Sequence, residues 1–370
     1  MTTSCASNRE RGASSGRVCG IDSVRALAAL SVVFAHLVGP TLPGLLGHTP
    51  LAATVIPNYA KYLFTGHPAV IAFFVISGFC IHYPYTRKSL PVLPFWAARW
   101  TRIMIPVLAA IVLAKLARLK EYNFWDGYIL WSIVCELFYY MLYPLFLLLS
   151  RWVTWRVQFY LALFLSFTVA IGLGSDQYGN AHVYGPLLNW VVALPSWLAG
   201  CVLAESIHKQ KDSPTIPSAY RVAFWRCLVA GVASVLYWLT LNTGFGYYLT
   251  MNGFALLAYF WIRAEIASPS GQDGVLEGVG KWSYSIYLLH MPILVILARI
   301  LKPIWSDTLQ LLCLPLILYG CFWLYKKVEL PAHGYARRIF RAINPRGLFV
   351  PLSAKFDPEV QNRAQFDRVV

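Results

Sequence analysis

Ten apolar runs of about 18 to 24 residues, separated by short polar segments, leave this chain few ways to fold. A hydrocarbon core about 30 Å thick is crossed by roughly 20 helical residues rising about 1.5 Å each. The runs lie at about 20–40, 68–86, 100–118, 127–149, 157–174, 187–207, 222–241, 245–262, 282–301 and 309–326. A barrel in the membrane would show short alternating strands instead. The expected fold is therefore all-α, a polytopic transmembrane helical bundle of about ten spans. Composition agrees: 58% of residues are hydrophobic and 13% charged, where ordinary soluble domains carry about 25% charge.

The net charge of +15 raises nucleic acid as a partner, but its distribution argues otherwise. With the N-terminus in the cytoplasm, 23 of the 31 Lys and Arg belong to cytoplasmic segments and 5 to external ones, as the positive-inside rule requires. No nucleic-acid partner is expected, and both termini are placed in the cytoplasm. Lys115, Arg118 and Lys120 are the exception, on the external side. Eight scattered cysteines show no CxxC or Cys/His ligand spacing, so neither a disulfide framework nor a metal site is expected. Residues 1–19 lack the apolar core of a secretory signal and read as a disordered cytoplasmic tail. Residues 20–335 read as the membrane domain and 336–370 as a basic cytoplasmic tail.

Ionisable side chains inside spans mark function, because an Arg at a helix centre costs roughly 2.5–3.5 kcal/mol on insertion scales. The first span, GIDSVRALAALSVVFAHLVG, carries Asp22, Arg25 and His36. Arg25 and His36 are eleven residues apart, about three turns and roughly 16 Å along one helix face. With Arg25 at one surface, His36 comes near the midplane. The second span, AVIAFFVISGFCIHYPYTRK, places Ser77-Gly78-Phe79 in mid-membrane, where Gly permits close approach of a helix or a ligand. His82, nearer its end, reads as interfacial, and His48 and His67 in the preceding loop as surface residues.

The third span opens with FWAARWTRIMIP, where Arg99 and Arg102 share a face. Two guanidiniums so placed can clamp phosphate or simply anchor the helix at the membrane surface. In LWSIVCELFYYMLYPLF the residues Ser132, Glu136, Tyr140 and Tyr143 form a polar stripe, with Glu136 at about the depth of His36. Such a carboxylate can orient the imidazole, bind an acceptor hydroxyl or serve as a structural partner. Glu205 reads as solvated. The ninth span, GKWSYSIYLLHMPI, puts Ser283, Tyr287 and His290 on one face, and KKVELPAH closes the tenth span.

Taken in order, these stretches resemble the acyltransferase 3 family of integral membrane O-acyltransferases. The resemblance covers roughly residues 20 to 335 and rests on IDSVRALAALSVVFAH, FFVISGF, RWTR, WSIVCELFYYMLYP, GKWSYSIYLLHMP and VELP. One departure is Pro106, four residues after Arg102 where the family pattern usually has three. The resemblance implies a multi-pass protein of the bacterial inner (cytoplasmic) membrane. It implies transfer of an acyl group, most often acetyl, from cytoplasmic acyl-CoA to a hydroxyl, usually of a sugar on a surface or exported glycan. Acetyl-CoA would be a co-substrate, with no permanently bound cofactor, and the acceptor a glycan or lipid-linked saccharide.

The family's essential Arg and His map onto Arg25 and His36, its CoA-phosphate pair onto Arg99 and Arg102, and its glutamate onto Glu136. On this reading His36 takes the acceptor's proton, and Ser77, Ser283 or Tyr287 donates to the developing oxyanion. Direct transfer and an acyl-histidine intermediate both remain open. The alternative is a polytopic transporter or flippase, since buried His, Glu and Arg also build ion pathways. The spans show no obvious internal repeat of the kind many transporters possess.

Overall fold

Proline and glycine decide how this helical chain packs. The computed structural model describes residues 18, 20–46, 62, 65–119, 122, 130–174, 184–209, 219–243, 245–267 and 274–344, with the backbone alone beyond Leu37 in the first helix. Of the expected tail at 1–19 all but residue 18 lies outside the described residues, as do His48 and the segment 345–370. In chain order the helices are α1 (Ile21–Leu46), α2 (Gly66–His82), α3 (Val92–Leu116), α4 (Trp131–Leu149), α5 (Trp155–Leu173) and α6 (Gly185–Lys209). They continue as α7 (Ala219–Asn242), α8 (Tyr247–Ala267), a short α9 (Gly274–Gly280), α10 (Ser283–Ile300), α11 (Asp307–Leu312), α12 (Leu314–Leu324) and α13 (Leu330–Ile343). No strand occurs among the described residues.

Among the described residues eight helical stretches are long and apolar enough to cross a membrane, and the protein is an all-α bundle of membrane-spanning helices. The other two expected spans are also long helices, α1 with 26 residues and α8 with 21. The tenth expected span does not stop near residue 326. A π-helical turn at Tyr325–Glu329 carries the helix on into α13, which packs against α3. There the Leu330 amide donates to the Tyr325 carbonyl, five residues back. That wider turn accommodates Pro331, which has no N–H and would break regular α-helical bonding.

α2 and α6 meet over glycines at the centre of the bundle. A Cβ on Gly78 would sit 1.9 Å from the Trp197 carbonyl oxygen, and one on Gly200 2.0 Å from that of Val75. Of the two roles open to Gly78, close approach of a helix is therefore the one observed. Prolines inside helices free carbonyls that neighbouring side chains take up. Pro144 cannot donate to the Tyr140 carbonyl, which accepts instead from Trp96 Nε1 at 3.0 Å. Pro292 likewise leaves the Leu288 carbonyl to the Tyr122 hydroxyl at 2.8 Å.

The start of α1 is held by two other helices, α8 and α9. Gly20 (φ +87°) lies against the Glu265 backbone of α8, where a Cβ would come within 2.7 Å of the carbonyl oxygen. Gly280 of α9 fits so closely that its Cβ would be 1.8 Å from the Asp22 oxygen. Glu277 of α9 then caps α1 from outside, accepting from the Gly20 amide (3.1 Å), the Ser23 amide (3.2 Å) and the Ser23 hydroxyl (2.9 Å). This satisfies N–H groups that a helix N-terminus leaves without internal partners, and it places the turn that carries Arg25.

Candidate active site

A cavity of about 480 Å³ opens between α1, α2, α3, α4, α10 and the α12–α13 junction. Arg25, Arg99, Arg102 and Lys281 line it with positive charge, and Glu136, Ser77, Tyr140, Tyr284, Tyr287, Glu329 and His333 line it with polar groups. Val70, Phe73, Phe74 and Ile133 supply apolar wall. The structure therefore brings Arg25, Ser77, Arg99, Arg102 and Glu136 together around one space, from four helices. Helical spacing puts Ser132, Glu136 and Tyr140 on a single line of α4, and all three face the cavity.

The three arginines differ in their partners. Arg25 donates from Nη1 to Asp22 Oδ1 (3.1 Å) and from Nη2 to Cys80 Sγ (3.4 Å). Arg99 lies over the rings of Phe95 (5.7 Å) and Tyr140 (5.9 Å). Neither Arg99 nor Arg102 forms an ion pair with a described carboxylate. Like charges drawn together in a largely desolvated space are unfavourable unless an anion joins them.

Glu136 is firmly held. Its Oε1 accepts from the Ser77 hydroxyl at 2.7 Å and, in a short hydrogen bond, from the Tyr140 hydroxyl. Ser77 thereby commits its only proton, which corrects the expectation that it donates to an oxyanion. Ser283 does the same towards the Gly280 carbonyl, at 2.9 Å. Tyr287 shares its hydroxyl with Ser132 at 2.8 Å.

His36 has a different partner from the one expected. Its Nδ1 lies 2.9 Å from His290 Nε2, with the two rings stacked, and His290 Nδ1 lies 2.8 Å from the Ile286 carbonyl. Glu136 instead bonds across to α2, so the idea that it orients His36 gives way to a His–His pair. Neither imidazole belongs to the cavity lining, but Tyr287, three residues before His290 on the same face of α10, does. His36 is exposed, whereas His290 is 2% exposed.

Glu329, from the VELP stretch, also lines the cavity. It is 3% exposed, and its Oε2 accepts from the Ser285 amide (3.1 Å) and hydroxyl (2.6 Å). The π turn that aims it into the cavity has no signature in hydropathy. Lys281 and Glu277 likewise carry no signal in the sequence, being polar residues at a span's edge. Elsewhere, His82 is not interfacial but 1% exposed, bonded to the Tyr143 hydroxyl (3.1 Å) and to Glu205 (3.0 Å). Both ring nitrogens find partners across the bundle, so burial leaves neither wanting, and Glu205 is bound rather than merely solvated. His67 stacks on Tyr237 at 5.5 Å instead of standing clear at the surface.

The family model described as an acyltransferase domain, of the Acyl_transf_3 type, matches residues 19–326. Neither a curated protein nor a solved structure matches the chain.

Proposed function

Because this chain belongs to the acyltransferase 3 family, we propose that it is a membrane O-acyltransferase that moves an acyl group, acetyl foremost, from cytoplasmic acyl-CoA to a glycan hydroxyl. The observation that carries the donor assignment is the cluster of Arg99, Arg102 and Arg25 on one cavity, the first two in no ion pair with a described carboxylate. Guanidinium forks suit phosphate oxygens, and CoA brings several phosphates on a long flexible arm. In this reading the phosphates dock on Arg99 and Arg102 with Arg25 close by. The arm runs along the cavity past Tyr140 and Glu136 towards Tyr287, and the thioester reaches His36.

There the acceptor oxygen attacks the thioester carbon while His36 takes its proton. The C–S bond breaks as the C–O bond forms, and the proton passes on to the departing sulfur. Glu136 Oε2, which has no protein partner among the described residues, is placed to accept from the acceptor hydroxyl or the donor's amides. With the N-terminus cytoplasmic, Arg99 sits at the face where acyl-CoA is found, consistent with a bacterial inner-membrane enzyme.

The test is transfer from radiolabelled acetyl-CoA to a panel of glycans by the purified chain in liposomes. Expected is a loss with His36→Ala of about 10²- to 10⁴-fold, the usual contribution of a general base. Arg99→Ala/Arg102→Ala should raise KM for acetyl-CoA at least about tenfold, as loss of charge-assisted bonds implies. Transfer by His36→Ala equal to wild type would sink the scheme. Proton-coupled solute uptake independent of CoA would establish the transporter reading instead.

A further inference from the structure

A neutral imidazole donates from one nitrogen and accepts at the other, so its hydrogen-bond partners determine its tautomer. A backbone carbonyl can only accept. At 2.8 Å from the Ile286 oxygen, His290 Nδ1 therefore carries the proton. His290 is 2% exposed and bonded to backbone carbonyls of Ile286 and Tyr287 and to His36, none of them a carboxylate able to pair a second proton. Its Nε2 is then a bare lone pair, and the nitrogen 2.9 Å away must donate to it: His36 is protonated on Nδ1. The remaining lone pair of His36 is on Nε2, on the exposed ring of the two.

We propose that His290 is a positioning residue: through the chain Ile286 carbonyl, His290, His36 it fixes the tautomer and orientation of His36, presenting Nε2 as the reactive nitrogen. The inference rests on His36 being the base. During transfer the acceptor's proton goes to His36 Nε2 and then to the CoA sulfur, while the Nδ1 proton never leaves His36. The imidazolium formed in between is stabilised by the lone pair of a neutral imidazole, where a carboxylate usually does this work. Should an acyl-histidine form instead, the same chain makes Nε2 the nitrogen acylated.

The test joins a spectrum to kinetics. In wild-type protein labelled with ¹⁵N-histidine, His36 should show a protonated Nδ1 and an unprotonated Nε2 at neutral pH. His290→Phe, which keeps a ring but offers no acceptor, should lower kcat at least about tenfold while leaving KM for acetyl-CoA unchanged. His290→Gln supplies an amide oxygen to Nδ1–H and should recover most of that loss. Combined with His36→Ala, His290→Phe should cost nothing more, as expected of groups acting as one unit. A spectrum with the proton on Nε2 of His36, equal damage by Phe and Gln, or additive losses would overturn the proposal. The spectrum decides even where a variant fails to fold. Full transfer by His36→Ala with the tautomer intact would instead overturn the role of His36 itself.

Discussion

Replacing Gly78 by Ala adds one methyl group at a tight helix crossing beside the cavity. The new Cβ would sit 1.9 Å from the Trp197 carbonyl oxygen, whose neighbouring carbon would be at 2.9 Å. A carbon–oxygen contact is comfortable from roughly 3.3 Å, so α2 and α6 must separate by about 1.4 Å. Both obstructing atoms are backbone, so no side chain can swing aside. Overpacking of this kind costs about 1–3 kcal/mol, occasionally more. The shift also reaches the site, because Ser77 next door holds Glu136 at 2.7 Å, and a displacement of that size would break the bond. Thermal unfolding of the purified protein in detergent should show Gly78→Ala melting several degrees below wild type, with acyl transfer reduced. Ser77→Ala should reduce transfer with much less effect on melting. Gly200→Ala strikes the same crossing, so the double variant should lose less than the sum of the singles. Unchanged melting and unchanged transfer in Gly78→Ala would refute the argument.

Two further substitutions probe the scaffold. Glu277→Ala removes the acceptor for three donors at the start of α1; a lost cap costs about 0.5–2 kcal/mol, and KM for acetyl-CoA should rise because Arg25 is carried by that turn. Glu277→Gln, which keeps an acceptor oxygen, should restore most of the binding measured by the same kinetics. Arg226→Ala strips Glu265, 0% exposed, of its guanidinium bonds at 2.8 and 3.2 Å. Melting should fall by the equivalent of about 3–5 kcal/mol for a stranded buried charge. Since Arg226 does not line the cavity, KM should not move, and Arg226→Met with Glu265→Leu should regain much of the stability.

The family, the bundle and the arginines that line the cavity are all legible in the sequence. Spans follow from run length against bilayer thickness, and residues on one helix face follow from a period of 3.6. That arithmetic puts Ser132, Glu136, Tyr140 and Tyr143 on one stripe; the first three share the cavity, whereas Tyr143 turns to His82. It says nothing about what lies opposite, because packing partners come from other helices at separations of tens to hundreds of residues. Ser77 with Glu136 and His82 with Glu205 are pairs of this kind, 59 and 123 residues apart. The last long helix runs past its expected end near residue 326 for a local reason: a π turn lets it pass Pro331, which has no N–H.

Sequence by itself determined that this chain is a membrane bundle of the acyltransferase 3 family, because hydropathy, helical periodicity and short motifs are local properties of the chain. Tertiary structure alone decided which nitrogen of His36 is free. That choice depends on a histidine 254 residues away and on the carbonyl behind it, through hydrogen bonds that exist only once α1 and α10 have packed.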